Sequence, residues 1–196
     1  SKLGILYKLL EKVDGILIGG AMANTFLAAK GLNMGKSMVE ETGLDDAKAV
    51  MAEAAKKKVE LYLPVDFVLG KDPDGKAVKT VAATDMDPEL MALDIGPKTV
   101  KLFASVLAKA KSVIWNGPMG YFENPQFARG SLDMAGVVAG LDALTILGGG
   151  DTGPIVQQAG LAEKCSFVST GGGSFLKFMK GVELSAFKAL KECAEK

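Results

Sequence analysis

Apolar residues along this chain fall into two kinds of segment. Short, nearly continuous apolar runs are typical of strands buried on both faces, and apolar residues that recur every three to four positions are typical of amphipathic helices. The short runs predict strands at 15–20, 59–65, 112–115, 144–147 and 166–169. The helical pattern predicts helices at 1–14, 22–30, 45–58, 99–109, 127–139 and 155–159, again from about residue 175, and over 184–196.

Two segments interrupt this alternation. Residues 67–82 predict a hairpin that turns at Asp74-Gly75, and residues 85–98 are expected to be mostly loop. Strands that alternate with helices, and that are apolar on both faces, indicate a mostly parallel sheet covered on both sides. We therefore expect a three-layer α/β/α, Rossmann-like domain spanning 1–196, in which residues 184–196 form a C-terminal tail helix.

The composition argues against several classes of partner. Lys plus Arg and Asp plus Glu number 23 each, so no overall charge favours nucleic acid or a membrane surface. No apolar run approaches the ~20 residues of a membrane-spanning helix, and we expect no signal peptide. Cys165 and Cys193 are too few and too far apart for a disulfide scaffold or a zinc knuckle, which favours a reducing, cytoplasmic environment.

The chain contains no histidine. This excludes Ser-His-Asp and Cys-His nucleophile arrangements, HExxH metal sites and imidazole general bases within the chain. Any chemistry must use carboxylates, lysines, backbone amides and a hard metal ion.

The segment Gly148-Gly149-Gly150-Asp151-Thr152 lies between a predicted strand and a predicted helix. Such a turn directs backbone N–H groups at a crevice, and the helix dipole favours an anion there. A carboxylate beside a phosphate is repulsive unless a cation lies between them, so Asp151 predicts a metal–phosphate site with Mg²⁺. The alternative is a tight turn in which Asp151 or Thr152 only caps the helix.

Three other predicted strands also end in glycine-containing turns: Gly19-Gly20, Asn116-Gly117-Pro118 and Gly171 to Gly173. In parallel α/β sheets ligands bind at the carboxyl ends of the strands, so four such loops predict one crevice for a phosphate-bearing ligand. The sequence contains no GxxxxGK[ST] P-loop, and no complete GxGxxG follows a strand. The triplet Asp151-Thr152-Gly153 matches that of aspartic proteases, but a single copy in an α/β turn is best explained as coincidence.

A series of motifs, in order over almost the whole chain, resembles the C-terminal, nucleotide-binding half of phosphoglycerate kinases. The matching segments are Lys2-Leu3-Gly4-Ile5, Ile18-Gly19-Gly20-Ala21-Met22-Ala23, Leu63-Pro64-Val65-Asp66, Asp94-Ile95-Gly96-Pro97, Trp115 to Gly120, Phe122-Glu123, Gly148 to Thr152 and Val168 to Gly173. The resemblance implies a kinase that moves a phosphoryl group between 1,3-bisphosphoglycerate and ADP, giving 3-phosphoglycerate and ATP. Its cofactor would be Mg²⁺, bound with ADP or ATP.

The resemblance also assigns roles to single residues. Gly19 and Gly20 would border the adenine, with Met38 and Leu93 on its apolar flank. Pro118 would pack on the sugar, and Glu123 would accept its hydroxyls, although Glu123 could also be a solvated loop charge.

The same resemblance places Asn116 and Lys2 at the phosphates and Asp151 at the Mg²⁺, although Lys2 on a helix face is ordinarily only a solvent-exposed charge. Backbone amides would neutralise the transferring group, namely those of Gly149, Gly150, Thr152, Gly171, Gly172 and Gly173. Asp66 could do no more than brace its own turn.

The family pattern includes parts that this chain lacks. These are a first strand with its Gly-Gly-Ala-Lys turn, and an N-terminal domain that binds phosphoglycerate. We therefore expect the chain to need that domain as a partner and to be inactive alone. The competing hypothesis is a nucleotide-binding module without turnover. Phe167 stands where the family usually has histidine, and Phe175 and Lys177 also depart from its pattern, which puts the helix towards the other domain in doubt.

Overall fold

The computed structural model describes residues 3–169, 171–179 and 181–194. Eight strands lie in these ranges: β1 Gly15–Leu17, β2 Glu60–Tyr62, β3 Asp66–Gly70, β4 Ala77–Ala82, β5 Met91–Ile95, β6 Ser112–Asn116, β7 Leu144–Gly148 and β8 Phe167–Val168. The α-helices are α1 Leu3–Leu9, α2 Gly20–Ala29, α3 Leu44–Lys57, α4 Pro97–Leu107, α5 Arg129–Ala139, α6 Thr152–Gln158, α7 Gly172–Met179 and α8 Ser185–Ala194. Short 3₁₀ turns lie at Glu41–Gly43, Pro125–Phe127 and Ala162–Lys164.

The described strands form three sheets. β1 pairs with β2, and β6, β7 and β8 pair in that order, all of them parallel. β3 pairs antiparallel with both β4 and β5. The prediction of parallel strands joined by helices is confirmed, and so is the hairpin, which is the β3–β4 pair.

Three predictions of local structure were wrong. Residues 85–98 are not mostly loop, because they contain β5 and the start of α4, whose Pro97 occupies the first helical turn. The first helix ends at Leu9, well before the predicted residue 14. Helix α7 begins at Gly172 rather than near Phe175, so two glycines of the triplet Gly171 to Gly173 lie in a helical turn.

The parallel strands are covered by helices on both faces. Leu17 of β1 packs with the cluster that Val113 and Trp115 of β6 form with α4, α5 and α6. The next residue, Ile18, is buried in a second cluster with α1, α2 and α3. Since neighbouring residues of a strand point to opposite faces, this arrangement is the three-layer α/β/α fold. None of the helices in the described ranges is long and apolar enough to cross a membrane.

The covering is incomplete on the face of the β6–β8 sheet that carries Ile114. In the register of the sheet Ile114 lies beside Ile146, and Ile146 lies beside Phe167. Ile114 and Phe167 are exposed, as is Leu144 one pleat away on the same face. Helix α8 has an apolar stripe and no buried residue.

That residues 1–196 form one domain stays a prediction.

A buried polar link joins β3 to the start of α4. The Asp66 carboxylate accepts hydrogen bonds from the Thr99 backbone N–H and hydroxyl, both at 2.7 Å, and from the Lys98 N–H at 3.0 Å. Thr99 Oγ1 also lies within hydrogen-bond distance of the Val65 and Asp66 N–H groups, at 3.0 and 3.1 Å. Asp66 therefore caps a helix 30 residues further along the chain, and does not merely brace its own turn.

We expect Thr99→Val to lower the free energy of unfolding by about 1–3 kcal/mol, because it leaves buried N–H groups and a carboxylate oxygen without their partner at nearly constant volume. Urea unfolding followed by circular dichroism measures this loss. Thr80→Val on the exposed β4 is the matched control and should change stability by no more than about 0.5 kcal/mol. Equal effects of the two substitutions would show that the link contributes nothing.

Candidate functional site

The loop after β1 contacts the loop after β6. The Gly20 N–H donates to the Met119 carbonyl oxygen at 3.1 Å. Gly19 has no room for a side chain, because a Cβ there would overlap Met119 Sδ. Gly20 has a positive φ of 60°, which favours glycine at this position. These two glycines let the two loops meet backbone to backbone.

The loop after β6 is bound in turn to the loop after β7. Asn116 Nδ2 donates to the Gly148 carbonyl oxygen at 2.5 Å. The buried Thr152 hydroxyl accepts from the Gly117 N–H at 2.8 Å and donates to the Gly148 carbonyl oxygen at 3.0 Å. Gly149 has a φ of 110°, so the chain turns sharply just before Asp151. The Thr152 side chain therefore bridges two loops and does not cap its own helix.

The fourth loop closes the group. The Phe175 ring of α7 lies directly against Gly148, where it leaves no space for a Cβ atom. The Ser169 N–H donates to the Leu147 carbonyl oxygen at 2.7 Å, which continues the β7–β8 pairing one residue beyond β8 towards Gly171. The prediction that the four glycine loops come together is confirmed by these contacts.

Asp151 occupies the N-cap position of α6, but its side chain makes no capping hydrogen bond. Its carboxylate is exposed and has no hydrogen bond or ion pair to another described residue. The interpretation of Asp151 as a helix cap is therefore wrong for this conformation. The Asp151 carboxylate thus lies next to the glycine backbone without a partner in the part of the chain that the structure describes.

The other predicted ligands differ in how they are presented. Met38 is 71% exposed, whereas Leu93 is only 9% exposed and packs near Gly70 and Phe127. Glu123 is exposed and unpaired among the described residues. Pro118 is half-buried beside Gly20.

The structure describes only some of the residues that were predicted to bind phosphate. Lys2 lies outside the described residues. Gly171 directly precedes α7 and accepts from the Phe175 N–H at 2.8 Å, while Gly172 and Gly173 form the first turn of that helix. The Asn116 side chain was predicted to face the phosphates, but its N–H₂ group donates to the Gly148 carbonyl oxygen.

The buried polar side chains beneath the loop after β6, those of Asp94 and Ser131, were not predicted from the sequence. The Asp94 side chain, at the end of β5, accepts from the Gly130 N–H of α5 at 2.6 Å and from the Ile95 N–H at 2.9 Å. Ser131 Oγ accepts from the Met119 N–H at 3.0 Å. The available signal was a carboxylate within the apolar segment Met91 to Ile95, which the interpretation of 85–98 as loop concealed.

Burial raises the pKa of Asp94 from 3.8 to about 7, opposed by the hydrogen bonds from Gly130 and Ile95 and assisted by the nearby Asp133. The side chain is 2% exposed. The charged form of Asp94 is thus unfavourable in the fold even though two N–H groups point at it.

Comparison with known proteins identifies the family. The sequence profile described as "Phosphoglycerate kinase" matches residues 1–182. The chain belongs to the phosphoglycerate kinase family. It is 55% identical over 194 residues to the phosphoglycerate kinase of Maridesulfovibrio salexigens, and 50% identical over 192 residues to that of Desulfosudis oleivorans.

These matches cover 98% and 97% of this chain but 48% of each relative, so the chain spans about half the length of the phosphoglycerate kinases it matches. Solved structures agree. The phosphoglycerate kinase of Coxiella burnetii superimposes with a TM-score of 0.88 at 39% identity, covering 92% of this chain and 47% of that one. The enzyme of Pyrococcus horikoshii OT3 gives 0.87 at 31% identity, covering 100% and 50%. The fold is thus that of one half of a phosphoglycerate kinase.

Asp94→Asn should become more stable relative to the wild type as the pH rises. Because the folded state keeps a proton on Asp94 that the unfolded chain loses near its ordinary pKa, wild-type unfolding releases that proton between about pH 4 and 7. The contribution of Asp94 to the free energy of unfolding therefore decreases as the pH rises from about 4 to about 7, and it does not change further above pH 7. The asparagine variant has no such proton.

We expect the stability difference between Asp94→Asn and the wild type to shift by about 2 kcal/mol in favour of the variant from pH 5 to pH 8, measured by urea unfolding. Asp142→Asn, at an exposed position before β7, should stay within about 0.5 kcal/mol of the wild type. A difference between Asp94→Asn and wild type that does not vary with pH would contradict the raised pKa.

Proposed function

We propose that this chain supplies the nucleotide site of a phosphoglycerate kinase, which transfers a phosphoryl group between 1,3-bisphosphoglycerate and ADP to give 3-phosphoglycerate and ATP. The observation that carries the proposal is the free Asp151 carboxylate, placed beside Gly149 and Gly150 where four glycine loops meet. A crevice of exposed backbone with one unpaired carboxylate suits a phosphate chain bound together with a divalent cation.

The proposed metal ligand is Asp151. Mg²⁺ is usually held by one or two carboxylates together with substrate phosphates and water, rather than by a complete cage of protein ligands. This fits the described residues, among which no three acidic, histidine or cysteine side chains gather to hold a metal on their own. When bound, Mg²⁺ would neutralise negative charge on the nucleotide phosphates.

The proposed phosphate ligands are backbone amides. Gly149, Gly150 and Thr152 would donate from the loop after β7, and Gly171, Gly172 and Gly173 from the start of α7. Lys2 and Asn116 are retained as proposed side-chain ligands of the phosphates. Asn116 would bind through the part of its side-chain amide that is not bonded to Gly148.

The proposed nucleoside wall lies on the β1 side. Gly19 and Gly20 would border the adenine with their half-buried backbone. Met38 offers an exposed apolar side chain for the same flank, and Leu93 a largely enclosed one. Pro118 would pack on the sugar, and the unpaired Glu123 would accept its hydroxyls.

The mechanism requires positioning and charge neutralisation rather than covalent chemistry. Phosphoryl transfer proceeds with charge spread over the oxygens of the transferring group, and preorganised N–H donors stabilise that charge. The chain's residues would hold the phosphates in line, and a chain without histidine is suited to this work.

The acceptor carboxylate would come from the phosphoglycerate-binding domain of the same enzyme. We expect this chain alone to bind the nucleotide without turnover, since domain closure completes such sites. The second candidate function is a nucleotide-binding module that never turns over, since all of the ligands proposed on this chain serve the nucleotide. Under either candidate function we expect the protein to work in the cytoplasm, where Cys165 and Cys193 stay free.

Calorimetric titration with MgADP, followed by an assay of ATP formation with and without a separately made N-terminal half, separates these candidates. Binding together with restored turnover supports the kinase, and binding without restored turnover supports the module. A folded chain that binds no MgADP would refute both. Turnover by this chain alone would refute the proposed need for a partner domain.

Asp151→Ala should weaken MgADP binding by about tenfold or more and remove its dependence on Mg²⁺, because the variant loses the protein ligand of the metal. The measurement is calorimetric titration with ADP at a series of Mg²⁺ concentrations. Asp142→Ala, another exposed carboxylate at the opposite end of β7, is the control and should bind like the wild type. Unchanged Mg²⁺ dependence in Asp151→Ala would remove Asp151 from the metal site.

Glu123→Gln should reduce the preference for ADP over 2′-deoxy-ADP. A carboxylate accepts hydrogen bonds from sugar hydroxyls more strongly than a neutral amide does, so we expect roughly a tenfold loss of ADP affinity and a smaller loss for the deoxy analogue. Competition titrations with both nucleotides test this. Equal losses for the two ligands would make Glu123 a general loop charge without contact to the ribose.

A further inference from the structure

We propose that Asp94 and Ser131 are positioning residues for nucleoside binding, because they fix the loop 116–121 from beneath. This segment is called the nucleoside loop below. The inference rests on the proposed function, since the loop carries Pro118 of the proposed sugar site. Neither residue needs to touch the ligand.

Two hydrogen bonds tie the nucleoside loop to the elements below it. The Met119 N–H donates to Ser131 Oγ at 3.0 Å, and the Tyr121 N–H donates to the Leu93 carbonyl oxygen at 2.7 Å. Ser131 and Met119 are both buried. The loop is therefore bound to α5 on one side and to β5 on the other.

Asp94 holds these two supports together. Its two carboxylate oxygens accept from different N–H groups, Oδ2 from Gly130 on α5 and Oδ1 from Ile95 on β5. Two glycines press on the same carboxylate, because a Cβ at either Gly120 or Gly130 would overlap Asp94 Oδ1. The α-carbon of Gly120 is part of the nucleoside loop, so the position of Asp94 sets the height of the loop above β5.

The loop passes this position on to the proposed adenine site. The Met119 carbonyl oxygen accepts from the Gly20 N–H, and the Pro118 carbonyl oxygen lies 3.0 Å from where a Cβ of Gly20 would be. A displaced nucleoside loop would thus move both Pro118 and Gly20. The other end of the loop, at Asn116 and Gly117, is fixed to the loop after β7 through Gly148 and Thr152, so a shift that begins at Met119 and Gly120 is expected to spare the phosphate side.

The carboxylate is the group that this arrangement requires. It presents an acceptor to each of two N–H groups, whereas an asparagine of the same shape has one acceptor oxygen and one N–H₂ group. The N–H₂ group of Asp94→Asn would face one of the two donors and push it away. Ser131→Ala removes the acceptor of the Met119 N–H and leaves that buried group unpaired.

The tryptophan reports the position of the loop without any ligand. Trp115 is the single tryptophan of the chain, and its buried indole Nε1 donates to the Gly117 carbonyl oxygen at 2.7 Å. A shift of the nucleoside loop changes this hydrogen bond and with it the indole emission. This readout separates loop position from general stability.

The experiment compares the wild type, Asp94→Asn, Ser131→Ala and the control Asp133→Asn at pH 8. Asp133 lies on α5, the helix that carries Ser131, and its carboxylate is paired with Arg129 at 2.8 Å. The control therefore removes a nearby charge without touching the loop. We expect Asp94→Asn and Ser131→Ala to bind MgADP about tenfold more weakly than the wild type. Their affinity for magnesium tripolyphosphate, which lacks the nucleoside, should be unchanged, and their Trp115 emission should shift. The control should match the wild type in all three.

Variants that unfold cooperatively, bind MgADP as the wild type does and keep its Trp115 emission would overturn the inference. Equal losses for MgADP and magnesium tripolyphosphate would also overturn it. If Asp94→Asn does not fold, Ser131→Ala decides the same question. If the wild type itself binds no MgADP, the proposed function fails. The emission of the two variants then decides whether Asp94 and Ser131 hold the loop.

Discussion

Close packing against glycine backbone around the ends of the strands is the constraint on which the rest of the structure depends. Gly19 meets Met119, Gly148 meets the Phe175 ring, and Gly120 meets Asp94, and in each case a Cβ atom would overlap its neighbour. The loops can approach this closely only without side chains, and the approach leaves backbone N–H groups as the main donors of the crevice. The glycines are therefore a requirement of loop packing, whatever part they take in the proposed phosphate binding.

Polar groups buried under the loops set their positions. Thr152 bridges two loops through its hydroxyl, and Asp94 and Ser131 join β5 and α5 to a third. The Asp94 carboxylate is unfavourable in the fold when charged, since burial raises its pKa to about 7. The same charge supplies the two acceptors that the loop needs. A group that lowers stability while fixing a binding loop is a common compromise of function with stability.

Most of the fold and the meeting of the glycine loops could be predicted from the sequence. Apolar runs ending in glycine carry a local signal for strand and turn, and parallel strands bring their ends together. The failures concern positions decided by distant contacts. β5 was missed because its pairing with β3 stabilises it, and α7 extends back over two glycines that have low helix propensity. Nothing local to Asp66 shows that it caps α4, and nothing local to Ser131 shows that it accepts from Met119.

The two sides of the proposed site are supported by different parts of the fold. The phosphate side depends on Thr152 at the start of α6 and on Gly148 at the end of β7, which bind the first residues of the loop after β6. The nucleoside side depends on β5 and α5, through hydrogen bonds from Met119 and Tyr121. β5 pairs antiparallel with β3 in a separate sheet, so the two supports belong to different sheets, although they share the hydrophobic core that joins Ile95 to Trp115 and Leu147. Under the proposed function, changes to the small antiparallel sheet should therefore affect the nucleoside side of the site more than the phosphate side.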